Sequence, residues 1–188
     1  MLGWTWRFGN AVLSKHPIEH AEVVNLPGYA AWETALVGQK RAVACDINVD
    51  SAKICVVGAH LSYRSESIRV QSAREILRLA STRTLPTFVL GDLNSTPIGF
   101  PNAKTDAQGN NAIAVFDESD AFGRHDAGQL PAAQSLTFPA DLPNQIIDWI
   151  LIPKQWRLDD YRAIDSTLSD HRPVTAAISW TNNAKTEP

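Results

Sequence analysis

From residue 41 the chain alternates. Val43, Cys45, Ile47 and Val49 fall on one side and Ala44, Asp46 and Asn48 on the other, the two-residue period of a strand with one buried face. The run KICVVGAHL (53–61) is almost continuously apolar and predicts a strand buried on both faces. Asp50 and Ser51 mark a hairpin turn between them. From Glu66 to about Thr82, Ile68, Ile76, Leu77, Leu79 and Ala80 recur among arginines and glutamate, predicting a helix with one apolar stripe and Ser65 as its cap. LPTFVLGDLNSTP then predicts a short buried strand, Thr87–Leu90, that stops at glycine. Residues 97–111, rich in Pro, Gly and Asn, read as a long loop, followed by a short helical piece around Ile113–Phe116. IIDWILI (146–152) and VTAAISW (174–180) complete the predicted strands. A strand-rich chain with one full helix between two strands predicts an α/β domain with packed sheets. That single domain covers 1–180, and 181–188 form a polar, frayed tail.

Composition narrows the class without naming it. At 188 residues the chain can bury one real core, and its 44% apolar and 20% charged residues are ordinary for a globular protein. No stretch is long and apolar enough to span a membrane, and MLGWTWRFGN lacks the basic flank and apolar core of a signal peptide. The expectation is a soluble chain of undetermined compartment. A net charge of −3 is unlike the basic footprint of a strong duplex binder, although a local basic cleft fits inside an acidic total. Cys45 and Cys55 would lie opposite each other if residues 49 and 51 paired, whereas a two-residue turn would offset them onto opposite faces. They read as two reduced, buried thiols.

Chemistry gathers where polar residues break or end the apolar strands. His60 ends VVGAH, Asp92 and Asn94 follow FVLG, Asp148 interrupts IIDWILI, and Asp170 and His171 precede the last strand. A strand-end histidine is usually a hydrogen-bonded surface or core group, and Gly, Asp and Asn are turn formers. Asp148 is harder to dismiss, because a carboxylate within an apolar strand is costly unless paired, and histidine is its natural partner. Together the six residues can bind a hard divalent cation, orient a water and neutralise a developing oxyanion.

The set GNAVLSKHPI (9–18), AHLSYRSESIR (59–69), VLGDLNSTP (89–97), TFPA with IIDWILI (137–152) and LSDHRPV (168–174) resembles the endonuclease/exonuclease/phosphatase superfamily, the fold of deoxyribonuclease-I-like nucleases. The resemblance runs from about Phe8 to about Trp180 with the motifs in the family's order. It implies a four-layer αββα sandwich of two mainly antiparallel sheets and Mg²⁺-dependent phosphoester hydrolysis by in-line attack of water, with Mn²⁺ or another divalent cation as alternatives. It casts Asp92 as the residue orienting or deprotonating the water and Asn94 as holding that water or a phosphate oxygen. His171 would pair with Asp148, His60 would donate to a non-bridging phosphate oxygen, and Asp170 would ligate the metal. Asp92, Asn94 or His171 could serve a second metal site, and the general base is either Asp92 or His171. Ser62 stands where related sequences often carry aspartate.

The resemblance also implies a missing part. The family's N-terminal strands, one ending in a Gln-Glu pair whose glutamate binds metal, precede the GNAVLS element, which begins here at Gly9. Glu19, Glu22 and Glu33 lie after it, with no motif to support that role. The expectation is an N-terminally truncated copy with an exposed sheet edge prone to self-association. The leading function is a metal-dependent phosphoesterase, and the alternative is a catalytically impaired phosphate-binding or scaffold domain. Its substrate is a phosphate ester, either nucleic acid or a small-molecule or lipid-headgroup phosphodiester. Arg64, Arg69, Arg124 and Arg172 either line a phosphate pocket or are simply solvated. Trp149 and Trp180 read as core, and Trp4 and Trp6 as substrate rim or sheet remnant.

Overall fold

The structure, a computed structural model, describes residues 9–27, 40–50, 52–126 and 132–180. Trp4, Trp6, Glu33 and the tail lie outside the described residues. Six strands form the main sheet: β1 (Ile18–Asn25), β2 (Arg41–Val49), β3 (Ala52–Gly58), β4 (Thr87–Asp92), β5 (Phe122–Gly123) and β6 (Asp148–Pro153), in the order β1-β2-β3-β4-β6-β5. Only β3 and β4 pair in parallel, because helix α1 (Glu66–Thr82) crosses over between them. A second, antiparallel sheet pairs β7 (Trp156–Ala163) with β8 (Val174–Trp180).

The two faces of the main sheet meet different partners. Val57, Val89 and Leu151 pack with Val70 and Ile76 of α1 and with Ile113 and Phe116 of the short helix α2 (Ala112–Glu118). Ile47, Val56, Phe88 and Ile152 face the other way, against Trp156, Leu158 and Ile178 of the second sheet. Two packed sheets with helices on the main sheet make the expected α/β sandwich. The hairpin pairs Val49 with Ala52, so its turn has two residues and Cys45 sits opposite Val56. The two cysteines are buried, unbridged and on opposite faces. Burial pushes the Cys55 thiol up to about 11, which leaves it inert at neutral pH.

Several sequence expectations shift at their edges. Asp148 does not interrupt its strand; it is the first residue of β6, and Ile146 and Ile147 approach as buried coil. β3 stops at Gly58, so His60 lies in the loop just beyond, while β4 runs on through Gly91 to Asp92. Trp149 is buried as expected, but Trp180 is half-exposed, stacked at a tilt on Trp156. Strands β1 and β7 were not anticipated. β1 is an edge strand exposed at nearly every position, and a register irregularity between Leu158 and Asp160 breaks the alternation in β7.

Arg69 and Arg124 are neither solvated nor pocket-lining. Arg124 pairs with Asp117 at 2.7 Å and lies over the Trp149 ring. Arg69 is buried on α1, where its Nε donates to Glu66 at 2.7 Å and its Nη1 to the Ser62 carbonyl at 2.5 Å. The other Glu66 oxygen accepts from Ser95 Oγ (2.9 Å) and the Ala112 amide (2.7 Å). Asn111, the cap of α2, donates to Ser95 Oγ and the Thr96 carbonyl, and the Trp149 indole donates to the Ser95 carbonyl. This buried polar knot ties the loop after β3 to the loop after β4. Removing one member of a buried pair strands the other charge, so Arg69→Ala should cost about 3–5 kcal/mol. Urea unfolding measures it, and a loss below about 1 kcal/mol would mean that the pair is not structural.

Candidate active site

Four loops or strand ends meet at one end of the main sheet. The β3–β4 ladder continues past Gly58, with the Ala59 amide donating to the Leu90 carbonyl and the Leu61 amide to the Asp92 carbonyl, both at 2.9 Å. That close approach requires Gly91. Its φ of +134° is a glycine conformation, and a Cβ there would sit 2.1 Å from the Ala59 carbonyl oxygen. Asp92 follows at once and pairs across the strands with Asp148. His60, Asp92 and Asp148 therefore form a row across β3, β4 and β6, and the loop before β8 brings His171 over it.

The distances define a linked unit. His171 Nδ1 hydrogen-bonds to Asp148 Oδ2 at 2.8 Å, and its Nε2 lies 4.0 Å from Asp92 Oδ2. His60 Nε2 is 3.4 Å from the same Asp92 oxygen. Asn94, in the left-handed region at φ +52°, holds Asp92 twice: its amide donates to Oδ1 at 2.8 Å and its side chain to Oδ2 at 2.9 Å. Thr137 Oγ1 accepts from the amides of Ile147 and Asp148, and the Tyr161 hydroxyl donates to the Asp148 carbonyl at 3.2 Å.

Electrostatics follow from burial and crowding. The Asp92 and Asp148 side chains are only 17% and 18% exposed. Burial first, then the Asp148 charge, push Asp92 up to about 6 against the pull of the Asn94 hydrogen bond, His171 and Lys40. Burial lowers His171, but the hydrogen bond and charge of Asp148, with Asp92 and Asp170 behind it, outweigh that and leave its value raised. His60 moves the other way, lowered by burial and then by the positive charges of Lys40 and His171.

Among the described residues, Asp92, Asp148 and His171 form the group that could hold a metal ion, with one ligand atom from each within 4.8 Å of the others. The carboxylate donors fit: two crowded carboxylates gain from a hard divalent cation such as Mg²⁺ or Mn²⁺, while the His171 imidazole, bonded to Asp148 through Nδ1, is a softer ligand. Asp170 stands apart. It is exposed, accepts from Ser169 Oγ at 3.1 Å and acts on His171 only as a charge. Arg172 spends its guanidinium on the Ala140 carbonyl and Asp165, and exposed Arg64 packs on Tyr63 with its Nε bonded to the Tyr63 hydroxyl. Glu19 and Glu22 are engaged elsewhere, with Lys53 and Arg83. A cleft of about 400 Å³ opens beside the Asp148–His171 pair, floored by Leu90 and Ile150 and walled by Val174. Sequence reading missed Lys40 and Tyr161, because nothing in their local patterns points to this end of the sheet, and it gave Thr137, which opens the TFPA motif, no role.

Two histidines, two carboxylates and an asparagine thus gather at one end of the main sheet of this two-sheet sandwich. Residues 5–171 match the model of the Endonuclease/Exonuclease/phosphatase family, and the chain belongs to that family. No curated protein sequence matches the chain. Among solved structures it is similar to the mannosyl-6-phosphatase of Bacteroides thetaiotaomicron, at 16% identity and TM-score 0.68, covering 88% of this chain and 68% of that one. The human Nocturnin catalytic domain with bound sulfate aligns at 16% identity and TM-score 0.64, over 88% and 60%. A family member from Bacteroides vulgatus aligns at 20% identity and TM-score 0.63, over 88% and 67%. At such identities the likeness is one of fold. No helix among the described residues is long and apolar enough to cross a membrane.

The raised value of Asp92 sets a sign. The folded state holds that proton more tightly than the unfolded chain, so this group's stabilisation is complete below the ordinary value of 3.8 and is lost as pH rises through about 6. Asp92→Asn should therefore stabilise the fold by about 1–2 kcal/mol at pH 7.5 and give no gain near pH 3.5. Thermal unfolding at both pH values checks this, and equal effects at the two would contradict it.

Proposed function

We propose that this protein is a divalent-metal-dependent phosphoesterase that cleaves a phosphate ester by in-line attack of water. The observation that carries the reading is the Asp148–His171 hydrogen bond of 2.8 Å with Asp92 poised 4.0 Å beyond the imidazole. Asp92 is placed to orient the attacking water and take its proton, and Asn94 fixes its orientation. His171, raised and anchored by Asp148, carries the positive charge that stabilises phosphorane-like oxygens. His60, held low, donates as a neutral imidazole to a non-bridging oxygen. A divalent cation, Mg²⁺ before Mn²⁺, bound at the Asp92 and Asp148 carboxylates would supply Lewis-acid polarisation of the phosphoryl group. Asp170, exposed and hydrogen-bonded to Ser169, stands outside that pair.

A small-molecule or headgroup phosphoester suits the chain better than duplex nucleic acid. The total charge is −3, and Arg69, Arg124 and Arg172 are all tied up in ion pairs. A second reading, a phosphate-binding domain without turnover, draws on the position of Asp170 outside the acidic pair. The two separate on turnover of bis(p-nitrophenyl) phosphate with Mg²⁺. The enzyme reading expects hydrolysis that EDTA abolishes and Mg²⁺ restores. Asp92→Asn, Asp148→Asn and His171→Ala should each lower kcat/KM by about 100-fold or more with the circular dichroism unchanged. Wild-type-like rates in any two would remove the site assignment.

A further inference from the structure

The TFPA segment touches both partners of the Asp148–His171 hydrogen bond. Thr137 Oγ1 accepts the Asp148 amide at 3.4 Å, and the Phe138 ring lies against the His171 imidazole, with centroids 4.8 Å apart and planes tilted by 46°. The backbone of Phe138 is fixed on both sides. Its amide donates to the Gln145 carbonyl at 3.1 Å, and its carbonyl accepts the Asn144 and Gln145 amides, each at 2.9 Å. The residues flanking His171 are tied to the same segment. The Ala140 amide donates to the Asp170 carbonyl at 2.9 Å, and the Arg172 amide to the Thr137 carbonyl at 2.8 Å. Arg172 Nε adds a bond to the Ala140 carbonyl at 2.8 Å.

These bonds hold the backbone on either side of His171 but not the angle of its ring. The imidazole turns about χ2, a torsion of broad preference, and the bond to Asp148 fixes only its Nδ1 corner. Nε2 lies 4.0 Å from Asp92 Oδ2, too far for a hydrogen bond that would hold the other end. The Phe138 ring meets the imidazole at a centroid distance typical of favourable aromatic pairs. Core packing does not account for that ring. Phe138 is half-buried and, among the described residues, belongs to neither apolar cluster on the two faces of the main sheet.

We propose that Phe138 is a positioning residue of the site: its ring sets the angle of the His171 imidazole and keeps Nε2 directed toward Asp92. The consequence for rate rests on the phosphoesterase reading above, whereas the consequence for the imidazole does not. Two successive residues then serve the two partners of one hydrogen bond, Thr137 through the Asp148 amide and Phe138 through the His171 ring. An aromatic face limits rotation of the imidazole without competing for its ring nitrogens, so Nδ1 stays with Asp148 and Nε2 stays free for substrate.

The test compares the whole chain with its Phe138→Leu and Phe138→Tyr variants, each also made in the His171→Ala background. One readout needs no ligand: the solvent-exchange rate of the His171 Nδ1 proton by NMR, its resonance assigned by its loss in His171→Ala. The other is kcat and KM for bis(p-nitrophenyl) phosphate with Mg²⁺. Phe138→Leu should speed that exchange and lower kcat, each about tenfold, with KM within about twofold of wild type. Phe138→Tyr keeps the ring and should restore both, and Phe138→Leu should have no further effect on kcat once His171 is gone. Exchange and kcat within about twofold of wild type in Phe138→Leu would overturn the inference and leave the enzyme reading standing. So would an equal loss of kcat in the His171→Ala background, a change in only one readout of an active chain, or a Phe138→Leu chain without the wild-type circular dichroism. Exchange that depends on Phe138 in a chain without turnover would overturn the enzyme reading and keep the positioning role. Absence of the Nδ1 resonance from the wild type would overturn the inference, because the imidazole would not be held.

Discussion

Two carboxylates stand opposite each other on paired strands, Asp92 ending β4 and Asp148 starting β6, and both are mostly shielded from water. Like charges in such a place repel and lose hydration, so the fold can keep them only by surrounding them with counter-charge. The neighbourhood answers that constraint. His171 takes one carboxylate by a hydrogen bond, His60 approaches the other while the Lys40 charge acts on it, and Asn94 donates to it twice. What protection is left over appears as the displaced value of Asp92. A group so placed is primed to take a proton from water, to accept a cation, or both.

Holding that arrangement requires backbone rather than side-chain devices. Gly91 lets β4 run against the Ala59 carbonyl, which brings His60 and Asp92 into one row. Behind it, the Glu66–Arg69 pair reaches the Ser62 carbonyl on one loop and Ser95 on the next. The loops that bear His60 and Asn94 are thereby fastened to helix α1 rather than left to wander. Tyr161 and Thr137 do the same for the start of β6. Rigid supports of this kind are what a site needs if its distances are to hold within a fraction of an ångström.

Much of this was legible in the chain, for identifiable reasons. The alternation of residues 43–49 and the apolar run 53–58 carry strand signals strong enough to survive context, and Ser65 caps α1 as its position suggested, its Oγ accepting the Ile68 amide. Asp148 announced a partner because an isolated carboxylate beside apolar residues is expensive, and His171 is that partner. The strand β1 was not legible because an exposed edge strand has no alternating pattern to show. β7 hides its period behind a bulge. Arg69 misled because local pattern cannot distinguish a solvated helix arginine from one buried against a glutamate one turn away.

The central claim is that Asp92, Asp148 and His171 behave as one coupled electrostatic unit. Carboxyl and imidazole NMR titration of the whole chain, repeated on Asp148→Asn, addresses that coupling without any ligand. The account predicts a wild-type Asp92 midpoint near 6 and a raised His171, with both falling when the Asp148 charge is removed. An Asp92 that titrates near the ordinary 3.8, indifferent to Asp148→Asn, would contradict it.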